Sequence, residues 1–280
     1  MISLKDRVAI ITGASSGIGA ATARAFGREG MRLALFARRA DRLEQVAADA
    51  RAAGGQAIVA PGDVRERASI ASLIERTMAA YGRIDVLLNN AGLGRLGWLE
   101  TLDPADVRLQ IDVNLLGAIE ATQLALPHLI RQRSGHIVNV ASLAGKIGSP
   151  TYTVYAATKF GLAGFSEALR REVAPWGIRV SGVYPAGVET EWGEHIGYRR
   201  RVGLAVARRV RLPAESVAEA MVRLVKHPRR EVILPRGARV LIWIERAAPW
   251  IADWLTGQFV QRERSARDQE SGAGFFRPKT

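Results

Sequence analysis

A short apolar strand that runs directly into a glycine turn and then a helix constrains this chain more than any other stretch. Residues 7–12, Arg-Val-Ala-Ile-Ile-Thr, form a β-branched run of the kind buried on both faces of a parallel sheet. Gly13-Ala14-Ser15-Ser16-Gly17-Ile18-Gly19 follows at once, and residues 20–28 read as a helix. Glycines let a backbone approach a pyrophosphate, and a helix N-terminus offers unpaired N–H groups and the positive end of its dipole. The spacing is Gly-x-x-x-Gly-x-Gly, not the commoner Gly-x-Gly-x-x-Gly of dinucleotide sites, and such turns also serve plain strand–helix packing.

The same unit then recurs. A strand over 32–36 ends at Ala37-Arg38-Arg39, before a helix over 41–53. An acid at the end of this strand would hold a ribose 2′-hydroxyl, whereas the arginine fork suits a 2′-phosphate. With no acid and two arginines, Arg38 and Arg39 predict NADP(H) over NAD(H). A strand over 57–60 leads to Gly62-Asp63-Val64 and a helix over 66–81; a strand over 85–88 closes on Asn89-Asn90-Ala91-Gly92. One long helical stretch is expected over 104–131. It carries Asn114, and Pro127 predicts a kink or early stop near its end. A strand over 136–140 ends at Ala141-Ser142, the helix bearing Tyr155 and Lys159 runs to about residue 173, and a strand over 179–183 leads to Tyr184-Pro185-Ala186-Gly187. Six strand–helix repeats predict an α/β fold, a doubly wound parallel sheet (Rossmann-like) with helices on both faces. Ligands bind such sheets at the carboxyl ends of the strands, where every polar motif above falls.

Tyr155 and Lys159 lie four residues apart, on one helix face. An ammonium beside a phenol favours the phenolate, so Tyr155 is predicted to have a lowered pKa and to serve as acid or base. Tyr152 has no lysine four residues on and reads as pocket wall. His128 and His136 have no ligand-spaced partner and read as structural. His195 and His227 lie in the less patterned region, where His195 is open to a substrate contact. No metal site is expected.

The 280 residues suffice for one large domain with a well-buried core. Cysteine is absent, which removes disulfides and thiol chemistry and fits a reducing compartment. The first residues carry no apolar h-region, so no signal peptide is expected and a cytoplasmic location is.

Thr12-Gly13-Ala14-Ser15-Ser16-Gly17-Ile18-Gly19, Asn89-Asn90-Ala91-Gly92, Asn114, Ser142 and Tyr155-x-x-x-Lys159, in this order and spacing, resemble the short-chain dehydrogenase/reductase family. The resemblance covers residues 5–194 densely and 212–234 loosely. It implies that Tyr155 exchanges the proton with the substrate oxygen and that Ser142 polarises the carbonyl. Lys159 would hold the nicotinamide ribose and lower the tyrosine pKa, and Asn114 would anchor a proton relay. Gly13, Ser15, Ser16, Gly17, Ile18 and Gly19 would cradle the pyrophosphate, with Asp63 and Val64 at the adenine. Asn90, Ala91 and Gly92 would stand beside the ribose, and Pro185, Val188 and Thr190 near the carboxamide and phosphates. Arg38 falls where NADP-preferring members carry a basic residue. The family's Pro-Gly after the sixth strand is here Pro185-Ala186, where a methyl could shift the loop. The family also implies a homo-oligomer.

The last third differs. Residues 195–280 hold 18 Lys/Arg against 8 Asp/Glu, a net +10 of the total +13. An anionic partner or a solvated arginine-rich surface would each account for this. The domain is expected over 1–237, with a substrate loop at about 190–212 that includes Tyr198-Arg199-Arg200-Arg201. Beyond it lie an amphipathic extension over 238–260 and a disordered polar tail over 261–280, with Phe275-Phe276 near its end. Trp243, Trp250, Trp254, Leu255 and Phe259 lie among arginines, with too many charges between them to span a bilayer. They suit an interfacial helix against anionic lipid, a subunit contact or a cover over the pocket. No nucleic-acid motif accompanies the basic residues, and no nucleic-acid partner is expected. The reading is an NADP(H)-dependent reductase of a lipophilic carbonyl, reversible as an alcohol dehydrogenase. A 3-oxoacyl thioester reductase acting on an acidic carrier protein is the alternative. An NADP(H)-binding regulatory or scaffold protein is the reading from another class.

Overall fold

In the computed structural model, residues 2–190, 211–254, 256–258 and 260–261 are described. The expectations for His195, residues 198–201, Leu255, Phe259 and the tail from 262, including Phe275-Phe276, lie outside them.

Seven parallel strands form the central sheet: β1 (Val8–Thr12), β2 (Arg32–Ala37), β3 (Gln56–Pro61), β4 (Val86–Asn89), β5 (Gly135–Val140), β6 (Ile178–Pro185) and β9 (Glu231–Leu234). Their order is β3-β2-β1-β4-β5-β6-β9, so the winding direction reverses between β1 and β4. A small parallel pair, β7 (Val188–Glu189) and β8 (Leu212–Pro213), stands outside the sheet. The expected doubly wound sheet is present, and its last member is the strand over 231–234.

Alternation along the strands explains the two-sided burial. Ala9 and Ile11, Leu33 and Leu35, and Val86 and Leu88 face one layer; Ile10, Ala34, Phe36 and Leu87 face the other. The first layer is built from α1 (Gly17–Arg28), α2 (Ala40–Ala52) and α7 (Ala214–Lys226), through Phe26, Leu43, Val217 and Met221. The second uses α3 (Arg67–Tyr81), α5 (Gly117–Gln132) and α6 (Thr153–Glu172), through Ile70, Leu73, Leu129 and Leu169. With both faces covered, each strand can be apolar throughout.

The expected helical stretch over 104–131 is continuous but not α-helical throughout: α4 (Pro104–Ile111) passes into a π-helical turn at Asp112–Leu116 before α5 begins. Pro127 does not stop α5, which continues to Gln132. Proline removes the N–H that would bond to the carbonyl of Gln123. Both residues lie on the exposed side, where solvent can take that carbonyl.

α8 (Ala238–Ala247) begins at the expected edge of the domain. Ala238 and Ile242 are buried against Leu162, Tyr184 and Ile233. A further helical stretch starts at residue 249. Among the described residues, no helix is long and apolar enough to cross a membrane.

Candidate active site

The reversal between β1 and β4 opens a crevice at the carboxyl ends of the strands. Its floor is the glycine turn after β1. Gly17 has φ +53, and a Cβ there would sit 2.9 Å from Thr190 Cγ2, so only glycine lets Thr190 close over the turn. Asn90 braces the turn from β4: its Nδ2 donates to the carbonyls of Thr12 at 3.0 Å and Gly13 at 3.2 Å. The N–H groups of Asn90 and Ala91 donate to Thr12 Oγ1. The Asn90 side-chain amide is thus tied to the turn. Ser16 precedes α1 with no side-chain cap, and no acid lies in the first helical turn. Open N–H groups with no competing carboxylate suit a pyrophosphate.

At the end of β2, Arg39 reaches back to Ser15 Oγ, with Nε at 3.4 Å and Nη2 at 3.3 Å. Arg38 is exposed beside it. Asp63, after β3, accepts from the Arg65 guanidinium at 3.0 and 2.7 Å and from the Arg65 amide at 3.0 Å. Burial raises its pKa, but the Arg65 bonds and the Arg38 charge prevail and hold it below the usual range. Val64 is buried in the core. Arg65 was not legible as a site residue, because nothing in the sequence indicates that it folds back onto Asp63.

The candidate reacting end lies around Tyr155, which is 8% exposed. Its hydroxyl hydrogen-bonds with Ser142, whose Oγ also accepts from the Ala144 amide at 3.1 Å. Lys159 Nζ donates to the Val140 carbonyl at 3.0 Å and stands 5.7 Å from the Tyr155 ring centre. Asn114 is held from two sides: its Oδ1 accepts from Leu93 N and its Nδ2 donates to Leu93 O, each at 2.8 Å. The same Nδ2 donates to Thr158 Oγ1 at 3.2 Å, and Thr158 donates to the Tyr155 carbonyl at 2.7 Å. Gly92 lies between them; a Cβ there would come 3.3 Å from Asn114 Oδ1 and 3.4 Å from Lys159 Nζ. The π-helical turn that presents Asn114 carries no signal in the sequence.

The expected lowering of the Tyr155 pKa is not found. Burial pushes the phenol up to about 12, and the Ser142 hydrogen bond opposes this without reversing it. Burial also drives Lys159 down to about 8. An ammonium at this distance does not outweigh the desolvation of a fully enclosed phenol. Tyr152 does form wall: it meets Tyr155 edge-on at 6.2 Å and packs with Leu96 and Ala144.

Ala186 leaves the loop after β6 unstrained. Its φ is not positive, its amide donates to the Leu234 carbonyl at 2.7 Å, and the chain proceeds into β7 through Val188. Pro185 pairs with Leu234 at the sheet edge. His136 sits away from the site at the opposite end of β5, buried against Ser181 Oγ at 2.7 Å. No cluster of metal-ligating side chains occurs among the described residues.

The glycine cradle, the uncapped helix and the arginines fit a phosphate-bearing dinucleotide, and the Ser142–Tyr155–Lys159 cluster fits proton exchange with an oxygen. The chain is 36% identical over 241 residues to the ketoacyl reductase HetN of Nostoc sp., covering 84% of this chain and 80% of that one. An alcohol dehydrogenase from Thermococcus sibiricus, complexed with 5-hydroxy-NADP, superimposes with TM-score 0.74 at 31% identity, covering 82% of this chain and 96% of that one. A short-chain dehydrogenase/reductase from Burkholderia phymatum, in complex with NAD, gives TM-score 0.80 at 25% identity over 100% of both chains. Residues 7–200 match the short chain dehydrogenase family model, and the chain belongs to that family of oxidoreductases.

Proposed function

We propose that this oxidoreductase is an NADP(H)-dependent carbonyl reductase, reversible as an alcohol dehydrogenase, with a lipophilic substrate. The observation that carries the reading is the enclosed cluster in which Ser142 and Tyr155 share a hydrogen bond and Lys159 stands beside the phenol.

The cofactor, when bound, supplies the hydride. The chain's own residues manage the charge that grows on the substrate oxygen. Tyr155 is protonated at neutral pH, so it is ready to donate to that oxygen, and Ser142 donates beside it. Lys159 contributes positive charge next to the phenolate that Tyr155 becomes. Asn114 acts as a positioning residue: by fixing Leu93 and Thr158 it ties the loop after β4 to the helix bearing Tyr155. Leu96, Ala144 and Tyr152 form an apolar wall against Tyr155, which favours an apolar group beside the carbonyl.

NADP(H) preference rests on Arg38 and Arg39 at the end of β2, with Arg39 turned towards the glycine turn by its contact with Ser15 and the Asp63 carboxylate neutralised by Arg65. A 3-oxoacyl thioester is the second substrate reading, supported by the ketoacyl reductase relative. A homo-oligomer is proposed from Ile111, Leu116 and Phe160, exposed apolar side chains on α4, the π-helical turn and α6. Following NADPH absorbance against ketones, aldehydes and 3-oxoacyl thioesters tests the chemistry. Turnover with NADPH is expected, and a protein that oxidises neither NADPH nor NADH with any of these would refute it.

A further inference from the structure

Ser142 follows β5, and the short turn after it, over Leu143–Gly145, decides where its hydroxyl stands. The Ala144 amide donates to Ser142 Oγ at 3.1 Å, and the Gly145 amide donates to the Ser142 carbonyl at 2.9 Å. A backbone amide bound to Oγ ties side chain to turn, so a shift of the turn is a shift of the hydroxyl. The turn is held at two consecutive residues. Gly145 presses on α6: a Cβ there would lie 2.6 Å from the Lys159 carbonyl oxygen, so only glycine lets the turn meet that helix. This contact limits how close the turn can come, but it does not pull. Lys146 supplies the pull from the other side. Its ammonium donates to Glu231 Oε2 on β9 at 2.9 Å and lies 4.2 Å above the centre of the Tyr184 ring on β6.

β5 and β9 are not neighbours, because β6 runs between them. The Lys146 side chain therefore crosses one strand to reach the next. Gly182 makes room for the crossing. It is the register partner of Glu231, and a Cβ on it would sit 2.6 Å from the Tyr184 hydroxyl oxygen, so the ring rests on bare backbone. Leu143 and Ile147 pack with Tyr184 and Ile233, but apolar contacts of this kind are non-directional. The ion pair is directional and sheltered: the Lys146 side chain is 12% exposed and that of Glu231 33%. A pair in open solvent contributes little, whereas removing one partner of a sheltered pair strands the other charge. The aromatic face beneath the ammonium adds its own attraction.

We propose that Lys146 is a positioning residue for the reaction: bridged to Glu231 across the Tyr184 ring, it holds the turn after Ser142 so that the Ser142 hydroxyl keeps its place beside Tyr155. Lys146 acts through Ser142 and needs no contact with substrate or cofactor. The inference rests on the role proposed above for Ser142 and names the side chains that fix it.

The test uses Lys146→Met, which keeps an apolar stem over the ring and removes the charge, and Glu231→Gln, which removes its partner. Thermal melting of each full-length variant confirms that it is folded. Hydrogen–deuterium exchange over residues 142–147, without cofactor, reads the turn independently of turnover. It is expected to be about tenfold faster in either variant than in wild type. Turnover is followed with NADPH and the fastest ketone or aldehyde of the absorbance screen. In Lys146→Met, kcat should fall by about 10–10²-fold with KM for NADPH unchanged, the loss expected of a misplaced reacting group. In a Ser142→Ala background the same substitution should cost less than about twofold, because no hydroxyl is left to misplace. Unchanged exchange in both variants would overturn the proposal, and so would an equal loss of kcat with and without Ser142, which marks a general loosening. Faster exchange in a protein whose wild type reduces no carbonyl would support the anchor and refute the reaction reading, so the two fail separately.

Discussion

At the strand ends, Asn114, Tyr155, Thr158 and Lys159 are buried and each has a named hydrogen-bond partner, whereas along the outside of α8 large apolar side chains stand in solvent with none. The first region fixes a few atoms to within a fraction of an ångström by making each polar group depend on another. The second has no such interdependence, and its side chains can change without disturbing the fold. Catalytic geometry needs the former; a surface that meets a fluid or variable partner is served by the latter.

The contrast can be broken first at the phenol. Tyr155→Phe keeps the ring and removes the proton, and kcat is expected to fall by about 10²–10⁴. NADPH binding, followed by its fluorescence, should persist; near-normal turnover would remove Tyr155 from the chemistry. Ser142→Ala deletes one donor to the developing oxyanion, with an expected loss in kcat of about 10²–10³. The two sides of α8 sharpen the comparison within one helix. Ile242→Ala should destabilise the protein by roughly 2 kcal/mol or more in denaturant titration, while Trp243→Ala should stay within about 0.5 kcal/mol. Equal effects would mean that the outer side is also packed.

Arg38→Asp places a repelling carboxylate where a 2′-phosphate partner is proposed. It should reduce kcat/KM for NADPH by about tenfold or more while sparing NADH, as expected for loss of a charge-assisted bond. A wild type that already prefers NADH would contradict the arginine reading. The smallest effect per unit change is expected at the far end of the same strands. Burial lowers the pKa of His136 from 6.5 to about 3. Between these values the unfolded chain binds the extra proton and the folded one does not. Stability therefore rises with pH across this window and falls on acidification, by at most about 1.4 kcal/mol per pH unit from this group. His136→Gln should flatten that acid limb in thermal melts across pH 3–6.5.

The sheet and the proposed catalytic triplet were legible because they depend on local pattern. Apolar β-branched runs, glycine turns and the Tyr155–Lys159 interval are each set by neighbours in sequence. What escaped notice depends on distant contacts. Arg65 clasps Asp63 because the turn after β3 folds back on itself. Lys159 finds the Val140 carbonyl only because β5 and α6 pack together. Pro127 is harmless because its side of α5 faces water, which a propensity argument does not see. The tyrosine pKa escapes sequence pattern for a similar reason: spacing places the lysine nearby but says nothing of how completely the phenol is enclosed.

The π-helical turn at Asp112–Leu116 has a consequence for how this region tolerates length changes. It accommodates one more residue than a regular helix would, and each helical residue advances the face by about 100°. On one side, Gln110 must point to the Arg95 amide; on the other, Ala118, Ala121 and Ala125 must meet the core. Both requirements hold because a π turn takes up the extra residue by widening, which leaves α4 and α5 in the phase of one regular helix. A single deletion within 112–116 would let the helix close up regularly and keep both sides in register. What it would lose is the placement of Asn114 against Leu93 and Thr158. In a library of variants, a missing letter here should cost activity more than folding.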